Sequence, residues 1–217
     1  MLQLYTYFRS SAAFRVRIAL NLKGLSYQGI PLHLLRGGGE QHSASFEQRY
    51  PLRLVPVLLD DSLTLTLTQS LAIIEYLEDT HPLPALLPPG AAARAQVRAL
   101  ALSIACDIHP LNNLRVLRYL KSPLGIEDEA RNEWSRHWID LGLSAIEHML
   151  REGGTSGSCC YGDLPTLADC CLVPQVFNAQ RVECQLARWP TILRIHEHCM
   201  QLPAFQLAAP AAQRDAE

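Results

Sequence analysis

The spacing of apolar residues changes several times along the first eighty positions. Leu2 to Tyr7 is rich in β-formers and predicts a short strand. Phe14, Ile18 and Leu22 then recur every four residues, one apolar face of a helix, with Arg15, Arg17, Asn21 and Lys23 as its polar remainder. Tyr27 to Leu32 returns to a strand pattern, and Ser43 to Arg49 suits a short helix or turn. Leu54 to Leu59 reads as a strand interrupted by Pro56. Having no N–H, this proline belongs at an edge, a bulge or a turn, and it can be cis. After the turn Asp60-Asp61-Ser62, leucines 63, 65 and 67 alternate with threonines in a half-buried hairpin strand. Gln69-Ser70 opens a helix, with Ser70 as N-cap, Leu71, Ile74, Tyr76 and Leu77 as its apolar positions and Glu75 and Glu78 as polar ones. The order βαβ then ββα predicts a compact four-stranded α/β sheet.

The run HPLPALLPPG at 81–90 cannot continue either pattern, because of its prolines and Gly90. A boundary is expected there: a first domain over 1–81, a linker over 82–90, and an all-helical domain over 91–217. Ala91 to Leu120 predicts one long helix kinked at Pro110, which would set His109 and Asn113 on one face at i, i+4. Glu127 to Arg151 predicts another, with Trp134, Trp138, Leu141, Leu143, Ile146 and Leu150 on or near its inner face. Thr166 with Asp169 three residues on resembles a capping box with a shortened acid. A last helix is expected from Pro190 to Met200, and the tail AAPAAQRDAE reads as frayed.

Composition narrows the classes. With 217 residues, 48% hydrophobic and 18% charged, the chain can bury a substantial core, and a folded chain is expected. A net charge of −2 gives no general footing for nucleic acid or an anionic membrane. No apolar run reaches membrane-spanning length, and the N-terminus lacks the basic-then-apolar pattern of a signal peptide. The seven cysteines include no CxxC pair, and adjacent Cys159-Cys160 and Cys170-Cys171 fit one tetrahedral ion poorly. No metal is expected; reduced thiols in a cytoplasmic protein fit best, those on helical patterns as small core residues.

Candidate chemistry sits where strands meet helices. Arg9, Ser10 and Ser11 lie between the first strand and helix, where a serine oxygen can accept a first-turn amide. The same place gathers positive dipole charge and unpaired N–H donors, a site for an anion or thiolate. By residue type alone the plain reading is a cap. RGGGEQHS at 36–43 is glycine-rich but lacks the Walker lysine and the GxGxxG spacing.

Several blocks together resemble one family over nearly the whole chain: Ser10-Ser11-Ala12-Ala13-Phe14-Arg15-Val16-Arg17-Ile18-Ala19-Leu20, Val55-Pro56, the run from Gln69 to Leu77, CDIHPLNNLRVL at 106–117 and LADCCLVPQV at 167–176. They resemble the glutathione transferases, and within them the zeta class, the maleylacetoacetate isomerases, whose block reads SSC-x-x-RVRIAL. The resemblance implies a thioredoxin-like first domain, a C-terminal helical bundle, glutathione as cofactor and a homodimer. It implies cis–trans isomerisation of maleylacetoacetate to fumarylacetoacetate in tyrosine breakdown, through reversible addition of a thiolate to the double bond. Maleylpyruvate isomerases are close relatives, so that substrate stays open. General conjugation, dehalogenation of α-halo acids and a non-catalytic binding module stay open as well.

The resemblance also implies roles for single residues. Ser10, Ser11 and Arg9 would be catalytic. Arg15, Gln41, Val55, Gln69, Ser70, His109, Asn113 and Arg115 would contact glutathione, and Arg9 and Arg181 the substrate carboxylates, which arginine meets bidentately. Asp169 reads as a structural cap. One departure matters: the family's cysteine after the two serines is Ala12 here, so no protein thiol stands at that turn.

Overall fold

The computed structural model describes all 217 residues and divides into two compact units. The first comprises Met1–Leu86 together with Leu202–Glu217, and the second comprises Leu87–Gln201.

In the first unit, β1 (Leu2–Thr6) leads into α1 (Ser11–Leu22) and β2 (Tyr27–Pro31). A loop with two short 3-10 turns and α2 (Ala44–Arg49) follow, then β3 (Val57–Asp60), β4 (Leu65–Thr68) and α3 (Ser70–Thr80). The four strands lie in the order β2-β1-β3-β4. β1 runs parallel to β2 and antiparallel to β3, and β3 pairs with β4 as a hairpin. This is the βαβ-ββα order that the apolar spacing predicts. β3 starts at Val57, after Pro56, which has no amide to give to the ladder; the Val55-Pro56 bond is cis.

α1 is buried over nearly its whole length, not on one face. The reason is the chain's own end. α9 (Pro203–Ala208) packs along α1, where Asn21 Nδ2 donates to the Ala204 carbonyl (2.9 Å) and Arg17 Nε to that of Ala208 (2.9 Å). The expected division at 82–90 therefore does not hold for residues 202–217, which return to the first unit. Nor is the tail frayed. Gln213 Nε2 donates to the carbonyls of Leu207 (2.9 Å) and Ala209 (3.0 Å), and Asp215 Oδ2 accepts from the Phe8 amide (3.0 Å).

Two residues whose charge predicts a solvent-facing place are instead a buried pair. Lys23 Nζ meets Glu78 Oε2 at 2.7 Å, with side-chain exposures of 0% and 7%. Lys23 also donates to the carbonyls of His81 (2.7 Å) and Pro84 (3.0 Å), while Glu78 accepts from the Leu86 amide (2.9 Å). The ammonium is thus satisfied by one carboxylate and two carbonyls, the condition under which a charge tolerates burial.

The second unit is all-helical. Its first helix is shorter than the spacing predicts: α4 spans Ala91–Leu102 and continues as a π-helical turn over Ser103–Ile108, a 3-10 turn over His109–Asn112, and a break. Pro110 has no amide to give, and Asn113 (φ −68°, ψ 145°) caps α5 (Leu114–Lys121), its side chain accepting from the Arg115 amide at 3.1 Å. His109 and Asn113 therefore do not share a helical face.

α6 (Asp128–Glu152) buries Ile139, Leu143, Ile146 and Leu150 but leaves Leu141 exposed. Its Glu147 accepts from the amides of Thr191 (3.0 Å) and Ile192 (2.9 Å), satisfying the first turn of α8 (Pro190–Cys199). α7 (Leu167–Arg181) starts on the expected box, with Thr166 N and Oγ1 both donating to Asp169 Oδ2 at 2.8 Å. Among the cysteines Cys159, Cys160, Cys170, Cys171 and Cys199 are core residues, whereas Cys106 is exposed. No helix is long and apolar enough to cross a membrane.

Candidate functional site

Ser10 is the N-cap of α1. It has extended backbone (φ −70°, ψ 112°), and its Oγ accepts the Ala13 amide at 3.2 Å. Capping uses a lone pair of the hydroxyl and leaves its O–H free to donate to an anion in front of the helix, where the macrodipole places about half a positive charge. The Ser10 amide closes the preceding turn onto the Tyr7 carbonyl (2.9 Å). Ser11 follows as the first helical residue and is buried, and with Ala12 next to it no side-chain thiol stands at this turn. Arg9 is exposed, its guanidinium stacked 4.9 Å from the centre of the Phe8 ring.

A second helix start lies in the same unit. The sequence predicts Ser70 as the cap of α3, but Gln69 holds that position and Ser70 is the first helical residue. Gln69 adopts a left-handed backbone (φ 69°, ψ 114°), which costs a residue with a side chain about 1–3 kcal/mol and collects at functional sites. The two helix starts are joined from inside: Arg15, only 2% exposed, donates from Nη1 to Ser70 Oγ at 3.3 Å.

The same unit holds the cis Val55-Pro56 peptide, with Val55 buried, and Gln41 from the glycine-rich loop. Gln41 is not a solvated loop residue. It is 4% exposed; its Nε2 donates to the Leu34 carbonyl (3.4 Å) and its Oε1 has no partner. Gly39 (φ 110°) makes room for it, since a Cβ there would lie 2.5 Å from Gln41 Nε2. A buried acceptor without a donor costs about 1–3 kcal/mol, so a ligand N–H would relieve it. Ser10, Ser11, Arg15, Gln41, Val55, Gln69 and Ser70 all belong to the first unit, and the bond from Arg15 to Ser70 ties the α1 and α3 starts together.

The remaining candidates belong to the second unit. His109 opens the 3-10 turn, Asn113 caps α5, and Arg115 is exposed on that helix. Arg181, at the end of α7, is exposed and donates to Asn178 Oδ1 (3.4 Å).

Sequence reasoning missed three features. Arg17, polar surface by its residue type, is 0% exposed, and burial lowers its pKa to about 10. The signal was present, because Arg17 and Asn21 stand three residues after Phe14 and Ile18 and share their face. His33 is buried under the glycine-rich loop, its Nδ1 accepting the amides of Leu35 (3.2 Å) and Arg36 (2.8 Å). In the second unit, donor atoms of Cys159, Asp169 and Cys199 lie within 4.8 Å of one another, which no local spacing reveals. Asp169 commits both oxygens there, to the Cys160 amide (2.8 Å) and to Thr166. Burial raises its pKa against those bonds, and burial likewise holds the Cys160 thiol well above its usual value.

Residues 4–85 match the family Glutathione S-transferase, N-terminal domain, and the chain belongs to the glutathione S-transferases. Its relatives point to one class within that family. A probable maleylacetoacetate isomerase of Vibrio cholerae serotype O1 is 54% identical, over 98% of this chain and 97% of its own length. The holo structure of a maleyl pyruvate isomerase, described as a bacterial glutathione-S-transferase in zeta class, is 46% identical with a TM-score of 0.95, covering 99% of this chain and 100% of that one. A maleylacetoacetate isomerase of Anaeromyxobacter dehalogenans 2CP-1, solved with glutathione in its active site, is 45% identical with a TM-score of 0.89, covering 100% of this chain and 98% of that one.

Proposed function

We propose that this chain isomerises maleylacetoacetate to fumarylacetoacetate with glutathione as a cofactor that is not consumed. The observation that carries the reading is the Ser10 turn: a serine hydroxyl with its O–H free, at a helix N-terminus, with alanine where a protein thiol would stand. Glutathione, when bound, supplies the thiolate that adds to the maleyl double bond and leaves once the bond has rotated.

The chain's own residues hold and tune. A thiol of pKa near 8.5 is mostly protonated at neutral pH, and each unit by which it is lowered is worth about 1.4 kcal/mol. Ser10, shared with Ser11, donates to the sulfur while the α1 dipole favours its charge. Gln69 and Ser70 take the γ-glutamyl carboxylate at the start of α3. Val55 pairs through its main chain with the cysteinyl residue, and Gln41 offers its partnerless oxygen near the glycyl end. Arg15 fixes the Ser70 hydroxyl and adds positive charge behind it. Arg9, next to Ser10 in the chain, grips a substrate carboxylate.

Maleylpyruvate is the second substrate this reading admits, favoured by the 46% identity to the maleyl pyruvate isomerase. The family resemblance further implies a homodimer working in tyrosine breakdown, and the reduced thiols suit a cytoplasmic protein. The test follows the absorbance of each maleyl keto acid with glutathione far below the substrate concentration. Many turnovers per glutathione, with the higher kcat/KM on maleylacetoacetate, are the expected result. A stop at one equivalent means conjugation, and no change means a binding module; either overturns the reading.

A further inference from the structure

The turn that delivers Ser10 is held by groups outside the expected site. Both main-chain groups of Phe8 are pinned by charged side chains: its carbonyl accepts from Arg17 Nη2 (3.1 Å), and its amide donates to Asp215 Oδ2 (3.0 Å). The neighbouring Tyr7 carbonyl accepts from the Ser10 amide (2.9 Å) and from Arg17 Nη1 (3.3 Å). Arg17 Nη1 also reaches Thr6 Oγ1 (2.8 Å), so one guanidinium spans the strand exit from Thr6 to Phe8. Arg17 is fully buried, and Asp215 is the carboxylate whose charge acts on it.

The two partners come from opposite ends of the chain, Asp215 standing 207 positions after Phe8. α9 is laid on α1 by Asn21 and Arg17, and Gln213 closes the following turn so that Asp215 arrives at Phe8. Two residues on, Glu217 pairs with Arg36 and with His33 Nε2 (3.5 Å) at the base of the loop that carries Gln41. Titratable groups facing this tail are thus Arg17, His33 and Arg36, with Tyr27 acting on Arg17.

We infer that Asp215 is a positioning residue for the thiolate: with Arg17 it fixes the backbone at Phe8 and so sets where the Ser10 hydroxyl points. The role rests on the proposed use of glutathione, but the coupling from Asp215 to Ser10 belongs to the chain itself and is measurable without any ligand. An aspartate removed from the tail loses a carboxylate that holds the turn and the counter-charge of a buried arginine. An asparagine at 215 keeps an acceptor for the Phe8 amide.

The test compares Asp215→Ala and Asp215→Asn with the unsubstituted protein. In ligand-free protein, exchange of the Ala13 amide, which bonds to Ser10 Oγ, should quicken several-fold in the alanine variant and recover in the asparagine variant. With glutathione bound, thiolate absorbance against pH should show the alanine variant's apparent thiol pKa raised by about half a unit, the loss of one modest hydrogen bond. kcat should fall several-fold with KM for glutathione nearly unchanged. Unchanged Ala13 exchange in the alanine variant overturns the proposal, as does loss of thermal stability alone with the thiol pKa and kcat intact. If the unsubstituted protein shows no thiolate signal with glutathione, the functional reading fails, and Ala13 exchange still decides the positioning claim.

Discussion

Single side chains in this protein act mostly by satisfying backbone that would otherwise be exposed to strain or to low dielectric. Asp60 at the end of β3 is one: it accepts the Ser62 amide (3.1 Å), Ser62 Oγ (2.6 Å) and Tyr76 Oη (2.7 Å) also donate to it, and Ser62 first, then Tyr76, holds its pKa below the usual carboxylate value. Because the folded pKa is depressed, the stabilisation is fully present above the unfolded value of about 3.9 and is lost as pH falls through the folded one. Denaturant midpoints measured from about pH 5 down to about pH 3 should therefore fall more steeply for the unsubstituted protein than for Asp60→Asn; parallel slopes would show that Asp60 contributes nothing to acid stability. Much at this scale was legible. A serine cap at the α1 start, though not which serine, and the Thr166–Asp169 box follow from residue type and spacing. Arg17 was legible only by its place on the face of Phe14 and Ile18, and Lys23 and Glu78 were not, because charge alone says surface, while their burial depends on partners from distant segments.

Elements follow the apolar pattern where local forces decide and leave it where packing does. All four strands of the first unit could be read from alternation and punctuation, and so could α7 and α8. The break between α4 and α5 was reduced to a kink at Pro110, since the pattern does not tell a bent helix from a π-turn, a 3-10 turn and a new cap in succession. That region is shaped by close contact with α6. A Cβ at Gly142 would lie 2.3 Å from Ile108 Cγ1, and Ile108 is buried in the π-turn. Gly142→Ala should cost about 1–3 kcal/mol through overpacking, despite alanine's better helix propensity. A midpoint in chemical denaturation at or above that of the parent would mean that the π-turn yields freely.

At the scale of the whole molecule, sequence order hides that the chain's end completes its beginning. The composition reads residues 208–217 as a polar, alanine-rich tail, yet they form part of the first unit through bonds to α1, Phe8 and the glycine-rich loop. The catalytic account depends on that unit presenting two helix starts, and above all on Ser10 tuning a thiol that the protein does not own. Ser10→Ala tests this most directly, with isomerase kcat and glutathione affinity measured on the same preparation, affinity by calorimetry without substrate. The account predicts a fall in kcat of about a hundredfold, the effect of removing one preorganised donor, with glutathione affinity changed far less. A variant with the parent's kcat would contradict it.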